Sequence, residues 1–236
     1  MIKTCIFLIV VFAANVIQAV TGFAGTLLAM PVSMALVGVN EAKVILNIMA
    51  FLSCLWISWS ERGKIRWDIL IKMVILMGTG MALGIWCFQN MSLDFLLPVY
   101  GIFIVLLACK KLFVKRTIHS PEWMLFLVLL LAGVIHGMFV SGGALLVIYA
   151  SAAIKDKNEF RATVAPVWVI LNIFLMVSDC INGYMTVHVM ILAGLGVIPL
   201  FAAVHLGNRI HQKMDQRIFM KLTYVLLLAS GLTILL

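Results

Sequence analysis

The sequence predicts an all-α polytopic membrane protein, built as an inverted-topology tandem repeat with about five helical segments in each half. Three observations lead to this fold class: an apolar composition, a series of apolar runs, and an internal similarity between the two halves. Hydrophobic residues form 64% of the 236 residues and charged residues 11%, whereas soluble domains carry about 25% charged residues. The lipid bilayer is therefore the predicted environment of the chain.

Apolar runs recur from one end of the sequence to the other, and many are long enough to cross a hydrocarbon core of roughly 30 Å. None shows the alternation of apolar and polar residues that is typical of β-barrel strands, so each run is predicted to be helical. The ten predicted segments are 4–20, 23–38, 42–59, 69–88, 93–113, 123–140, 142–154, 161–177, 185–204 and 218–236.

Basic residues are concentrated in alternate loops, and this predicts the topology. If the loop at 61–68 is cytoplasmic and each segment crosses, every Lys and Arg lies on the cytoplasmic side except Lys3 and Lys43. This asymmetry follows the positive-inside rule and places both termini outside. The net charge of +8 thus reflects topology, and no nucleic-acid partner is expected. The first segment imitates a cleaved signal peptide, but its internal counterpart predicts that it is retained.

An offset of 118 residues aligns 10–43 with 128–161 without a gap. The most specific match is Asn40-Glu41-x-Lys43 against Asn158-Glu159-x-Arg161. The chain is therefore predicted to contain two transmembrane repeats, 1–117 and 118–236, within one membrane domain. Because each half has an odd number of crossings, the second half starts on the opposite side from the first, as in many transporters.

Glycine-containing breaks interrupt the apolar pattern at matched positions, TGFAG (21–25) and SGGA (141–144). The segments that follow, 23–38 and 142–154, are short for a membrane crossing and could be re-entrant. A helix that begins inside the membrane exposes up to four backbone N–H groups, which must face a cavity or a ligand. Two such positive helix ends meeting at the midplane would form an anion site. Close packing between helices is the alternative explanation of these glycines.

The candidate site follows from these breaks and from polar residues in the adjoining segments. Gln18 and His136 are equivalent in the repeat, seven residues before the matched glycines, and could donate hydrogen bonds to an oxyanion. His136 could also carry a proton, although a structural hydrogen bond to a neighbouring helix remains an alternative. The predicted substrate-binding residues are Gly22, Gly25, Thr26, Ser141, Gly142, Gly143, Gln18 and His136, with Thr21, Asn47, Thr163 and Asn172 as further lining residues.

Four charged residues, Glu41, Lys43, Glu159 and Arg161, occupy equivalent predicted helix starts. An acidic residue at a helix N-terminus suits the helix dipole, so helix capping with a local ion pair is the favoured role, and gating is the alternative. Asp179 lies near a loop end and is a poor candidate for a buried cation site. The Gly80–Gly84 spacing favours helix packing. The five scattered cysteines suggest neither a metal site nor a disulfide framework.

The segments QAVTGFAG and HGMFVSGGALLV, each followed by an apolar helix and then by N-E-x-K or N-E-F-R-A-T, resemble the sulfite exporter TauE/SafE family. The resemblance covers essentially the whole chain. It implies a transporter of sulfur-containing anions, such as sulfite and sulfoacetate, in a plasma membrane that is mostly prokaryotic. The first half keeps only Gly22 and Gly25 where the family is often richer in glycine, which leaves the substrate open.

Together these features predict a secondary transporter, not an enzyme, that exports a small oxyanion by alternating access. The expected partners are the oxyanion, the lipid bilayer, protons as a coupling ion, and a second copy in a homo-oligomer. No cofactor and no metal are expected, and no Walker sequence is present. The alternatives are an anion channel, a transporter of another small organic anion, an intramembrane enzyme or a structural subunit. The enzyme would need a motif such as H-E-x-x-H or G-x-S-x-G, which the sequence lacks.

Overall fold

The computed structural model describes residues 2–113, 122–213 and 215. Within these ranges the chain is helical and contains no strand, which confirms the predicted all-α class. The predicted segment 218–236 and the boundary between the two repeats lie outside the described residues. The helices are α1 (Ile2–Thr21), α2 (Gly25–Val37), α3 (Val39–Ser60), α4 (Trp67–Asn90), α5 (Leu93–Phe113), α6 (Glu122–Phe139), α7 (Gly143–Ala153), α8 (Lys157–Ile181) and α9 (Val187–Lys213), with one 3-10 turn at Arg62–Lys64.

Six described helices are long and apolar enough to cross a membrane: α1, α3, α4, α6, α8 and α9. The chain is therefore a multi-pass membrane protein. Helices α2 and α7 have 13 and 11 residues, which at ~1.5 Å per residue fall short of a core of roughly 30 Å. Short helices after glycine breaks were predicted, and this prediction is confirmed.

Helix α8 begins four residues earlier than the predicted segment because Asp156 caps it. The Asp156 carboxylate accepts hydrogen bonds from the backbone N–H groups of Asn158 at 2.8 Å and Glu159 at 2.9 Å. These bonds satisfy backbone donors that have no partner within the helix. They also hold the pKa of the Asp156 carboxyl below its usual range, with the Glu159 N–H as the largest cause.

The bundle is organised around the pair α3 and α8. Helix α1 packs along α9, and α4 packs along α6, while α2 lies against α1 and α3. The first helix of each half thus packs on the fourth helical segment of the other half. A tandem duplication would produce this exchange of packing partners between the halves. That the two halves have opposite orientations in the membrane stays a prediction.

Close approach between α4 and α6 depends on glycine. A Cβ at Gly80 would collide with the carbonyl group of Leu130, and a Cβ at Gly84 with that of Val134. In return, Gly133 of α6 lies against the carbonyl group of Met77. Small residues allow helix backbones to approach in a membrane, where the hydrophobic effect does not drive association. The packing role predicted for the Gly80–Gly84 spacing is confirmed.

The two ends of the bundle differ in their charged residues. One end, called here the basic end, carries the 3-10 turn and the exposed pair Arg66–Glu159, whose Nη1 and Oε2 atoms are 3.8 Å apart. At the opposite end, Glu41 lies 3.7 Å from His188. Trp59 is exposed at the basic end, as in the aromatic belt of a membrane interface.

Candidate functional site

The first break lies between α1 and α2 and is held by side chains of its own neighbourhood. Gly22 adopts φ +82°, a backbone conformation that favours glycine. The N–H groups of Phe23 and Ala24 donate to Thr21 Oγ1 at 2.9 and 3.0 Å, and the N–H of Gly25 donates to Gln18 Oε1 at 2.8 Å. Backbone donors predicted to face an anion are therefore bound to protein atoms in this conformation.

The carbonyl oxygen of Gly22 is anchored by α8. Trp168 Nε1 donates to it at 2.8 Å, and Gln18 Nε2 approaches it at 3.4 Å. Gln18 Nε2 also donates to Cys54 Sγ at 3.0 Å. Because all these side chains are buried, the break is fixed against both α3 and α8.

The second break differs in detail. Val140, which an offset of 118 residues relates to Gly22, has φ +54°, a conformation that is strained for a β-branched residue. Ser141 Oγ donates to the carbonyl oxygen of Phe139 at 2.8 Å. Gly142 occupies the N-cap position of α7 and has no side chain to cap it. Strained backbone of this kind occurs preferentially at functional sites.

The two breaks touch each other. A Cβ at Gly143 would lie 2.6 Å from the carbonyl oxygen of Phe23, so the start of α7 contacts the residue that precedes α2 by two positions. Gly25 and Gly142 pack against α1 and α6, where a Cβ would meet the carbonyl oxygens of Ala14 and Ala132. Close packing therefore explains these three glycines, and their contact with an anion stays a prediction.

A buried polar cluster lies beside the breaks on α3, α6 and α8. His136 Nε2 and Asn172 Oδ1 are 3.0 Å apart, and Asn47 Nδ2 donates to the carbonyl oxygen of Asn172 at 3.3 Å. The His136 ring also contacts the Trp168 ring, with 4.8 Å between centroids. Four residues on these helices were predicted to bind the substrate or line its site, and three of them (His136, Asn47 and Asn172) are brought together. Trp168, which was not predicted, joins them.

Three atoms of this cluster are buried without a hydrogen-bond partner in the part of the chain that the structure describes: His136 Nδ1, Asn172 Nδ2 and Asn47 Oδ1. An unsatisfied buried polar group costs about 1–3 kcal/mol, and native structures rarely retain one without a reason. Because the three side chains are at most 1% exposed, bulk water does not satisfy these atoms. The cluster can therefore hydrogen-bond a small polar ligand.

A cavity of about 10 Å³ lies next to the first break and is lined in part by Asn15, Gln18, Gly25 and Thr26. Such a volume holds about one water molecule. The cavity brings Thr26 together with Gln18 and Gly25, as predicted. An oxyanion is larger than water, so this conformation must open before an anion can occupy the cavity.

Other predicted residues lie away from the cluster. Thr163 Oγ1 accepts a hydrogen bond from the backbone N–H of Arg66 at 3.0 Å, so it fixes the start of α4 at the basic end. Asp156, and not Glu159, caps α8, and no side chain caps α3 at Gly38. The capping role favoured for Glu41 and Glu159 therefore finds no capping hydrogen bond.

The expected local ion pairs, Glu41 with Lys43 and Glu159 with Arg161, are wrong. Two residues along a helix do not face each other, so each cation pairs elsewhere. Lys43 Nζ lies 3.3 Å from Asp179 Oδ1, with both side chains at most 2% exposed.

Arg161 Nη1 donates to Glu61 Oε1 at 2.9 Å, and Arg161 Nη2 donates to Asn208 Oδ1. Asp179, a poor candidate for a buried cation site on the sequence because it lies near a loop end, is buried and pairs with the Lys43 ammonium. Helix α8 continues to Ile181 and turns Asp179 towards α3.

Sequence reasoning missed Glu61, Asp179 and Cys54 as partners, although the internal repeat offers a signal that could have found them. The offset of 118 residues relates Glu61 to Asp179 and Cys54 to Asn172. Applied beyond residue 43, it connects the hydrogen bond Gln18–Cys54 with the pair His136–Asn172.

Comparison with known proteins gives one result. A family model described as "Sulfite exporter TauE/SafE" matches residues 6–234. No curated protein matches the chain, and no solved structure matches it.

Proposed function

Because this chain belongs to the sulfite exporter TauE/SafE family, we propose that it exports sulfite or an organosulfonate such as sulfoacetate through the plasma membrane by alternating access. The family consists of membrane transporters of sulfite or related anions, which implies a transporter and not an enzyme. The apolar helices of the described part are in keeping with that role. The substrate, direction and mechanism are what we propose here.

The observation that carries the proposal is the contact between the two breaks beside buried polar atoms that lack partners. Gly143 lies against Phe23, and on helices α6 and α8 the buried atoms His136 Nδ1 and Asn172 Nδ2 have no hydrogen-bond partner among the described residues. An oxyanion offers several acceptor oxygens and would accept from Asn172 Nδ2, and from His136 Nδ1 once the ring is protonated. In surroundings of low dielectric constant these hydrogen bonds are stronger than in water.

The hydrogen bond between His136 and Asn172 makes anion binding at His136 depend on protonation of the imidazole ring. Asn172 Oδ1 can only accept, so His136 Nε2 carries the hydrogen of that bond and Nδ1 of neutral imidazole is an acceptor. His136 Nδ1 can donate to an oxyanion only when the ring is protonated. We therefore propose that the anion and a proton bind together at this site.

The small volume of the cavity beside the first break supports a carrier in preference to a permanently open channel. This volume of about 10 Å³ is too small for sulfite, so the helices must move for the anion to enter. We place the basic end in the cytoplasm, following the distribution of Lys and Arg. The inside-negative potential then favours anion exit by about 2.3 kcal/mol per charge per 100 mV, less any part cancelled by a co-transported proton.

The proposal is tested by flux through purified protein in liposomes loaded with sulfite, with sulfate and sulfoacetate as competitors. The test variant is Asn172→Ala, which removes the buried amide, and the control is Asn182→Ala, an exposed amide that follows α8. We expect saturable sulfite flux that Asn172→Ala reduces at least about tenfold, equivalent to 1.4 kcal/mol, and that Asn182→Ala leaves unchanged. Absence of flux for each of the three anions, with folded protein, would refute the proposal.

A further inference from the structure

Two ion pairs, one buried and one partly buried, join the two halves of the chain, and each half supplies one member of each pair. The offset of 118 residues converts Lys43 into Arg161 and Glu61 into Asp179. Lys43 of the first half pairs with Asp179 of the second, and Arg161 of the second half pairs with Glu61 of the first. Each half therefore supplies the cation of one pair and the carboxylate of the other.

The two pairs lie at opposite ends of the central helices α3 and α8. Lys43 is near the start of α3, and Glu61 follows its last residue. The separation of 18 residues corresponds to ~27 Å along a helix, close to the thickness of the hydrocarbon core. The pair Arg161–Glu61 is thus at the basic end, and Lys43–Asp179 is at the opposite end.

One pair lies against the first break, and the other is connected to the second break through two aromatic rings. A Cβ at Gly22, in the first break, would be 3.4 Å from Arg161 Cγ. The Lys43 ammonium lies 4.1 Å from the centroid of the Phe88 ring, which packs edge-to-face against Phe139 at 6.1 Å, directly before the second break. A change at Arg161 therefore acts directly on the backbone of the first break, and a change at Lys43 reaches the second break through Phe88 and Phe139.

The chemistry of buried ion pairs gives each of them two stable arrangements. A buried charge is costly unless it is paired, and it regains its hydration when water enters. Each pair therefore favours either a dry, closed contact or a hydrated, separated one, with little stability between them. Arg161 Nε and Glu61 Oε2 are buried and find no hydrogen-bond partner among the described residues, so hydration would supply hydrogen bonds that the closed state lacks.

We propose that the two exchanged ion pairs are the alternating gates of the protein: separation of Arg161 from Glu61 opens the centre to the basic end, and separation of Lys43 from Asp179 opens it to the opposite end. The freed cation then attracts the anion into the opened half. This role as gates of transport rests on the proposed function, whereas the opening itself is a property of the fold and is measured without substrate.

The chain contains a native reporter of opening at the basic end. Cys54 of α3 is 0% exposed, and a thiol must reach water before a membrane-impermeant reagent can label it. In the single-cysteine protein, Cys5, Cys87, Cys109 and Cys180 are replaced by Ser. The matched reporter for the other end is Asn172→Cys with Cys54→Ser in that background, since Asn172 is the counterpart of Cys54 in the second half.

The experiment measures labelling of each reporter from each side, in right-side-out and inverted vesicles without sulfite. Glu61→Gln should raise labelling of Cys54 from the side of the basic end by at least about tenfold, which is 1.4 kcal/mol in the opening equilibrium. Asp179→Asn should do the same for Asn172→Cys from the opposite side. Asp68→Asn, which removes the exposed partner of Arg66 at the basic end, is the control and should change neither reporter.

The proposal would be overturned if Glu61→Gln and Asp179→Asn were labelled equally from both sides, or were labelled no faster than Asp68→Asn. The pairs would then have a purely structural role. If either neutralised variant fails to fold, the exchanged protein Lys43→Arg with Arg161→Lys decides. It keeps both pairs and should retain the protection of Cys54, whereas Lys43→Gln with Arg161→Gln should expose Cys54 from the basic end and Asn172→Cys from the opposite end. If the labelling results are as expected but the wild-type protein shows no anion flux, the gates are supported and the proposed substrate is refuted.

Discussion

Trp168 of α8 donates its indole N–H to the carbonyl oxygen of Gly22 at 2.8 Å and presents its ring to His136. One side chain thus connects the first break with the polar cluster. Trp168→Phe keeps an aromatic ring but leaves the Gly22 oxygen with Gln18 Nε2 at 3.4 Å. We expect a loss of about 1–3 kcal/mol and slower anion flux.

Thermal unfolding in a fixed detergent and liposome flux measure these two effects. Trp86→Phe, at an exposed tryptophan of α4, is the control and should alter neither quantity. An unchanged stability of Trp168→Phe would show that the hydrogen bond to Gly22 does not hold the break.

The proton carried by His136 predicts a pH dependence of flux. The substrate for this test is an alkanesulfonate, whose own charge is constant, because sulfite itself titrates near neutral pH. Flux should increase as the pH falls, since only the protonated ring can donate a hydrogen bond from Nδ1. His136→Gln should transport more slowly and without this pH dependence. The same pH profile in wild type and variant would exclude His136 as the proton carrier.

Two glycines of α4 allow a controlled test of how closely the helix backbones approach. Gly84→Ala places a Cβ against the carbonyl group of Val134, whereas a Cβ at Gly78 would meet only Leu171 Cδ2, at 3.9 Å. We expect Gly84→Ala to destabilise the protein by about 1–3 kcal/mol, the usual cost of overpacking. Gly78→Ala should be neutral or stabilising by up to about 1 kcal/mol, because alanine favours helix. Similar melting temperatures for both variants would contradict the close packing of α4 on α6.

The cap of α8 makes a local prediction. Backbone N–H groups lower the pKa of Asp156 in the folded protein, so its contribution is present at neutral pH and is lost only as the pH falls through that lowered value. Asp156→Ala should therefore speed amide hydrogen exchange at Asn158 and Glu159 at neutral pH. Asp156→Asn should retain most of the protection, because asparagine also caps helices. Equal exchange in all three proteins would rule out the cap.

The general fold could be predicted because apolar runs and glycine breaks are local signals. Helices α2 and α7 are short for the reason foreseen: Gly22 and the Ser141-Gly142 turn end the preceding helices. The spacing of seven residues also placed Gln18 beneath Gly25 correctly, two helical turns away. Sequence could not tell which end of the amide faces the break, and it is the oxygen that binds the backbone N–H.

The ion pairs were beyond local reasoning because their partners are distant in the chain. Lys43 and Asp179 meet only when α3 packs on α8, and Glu41, two residues from Lys43, offered a nearer but geometrically unsuitable carboxylate. Trp168 was missed for a similar reason, since a tryptophan in an apolar helix gives no sign that its N–H meets a carbonyl oxygen of another helix.

The exchange of partners also bears on how such a chain is made and kept in a cell. A first half synthesised alone would hold Lys43 and Glu61 at opposite ends of one helix, ~27 Å apart, with no means of neutralising each other. The isolated second half would face the same difficulty with Arg161 and Asp179. Neither fragment is therefore a self-sufficient protein, and membrane quality control should remove each one unless both are produced together. Covalent fusion of the halves guarantees that the complementary charges arrive in equal numbers.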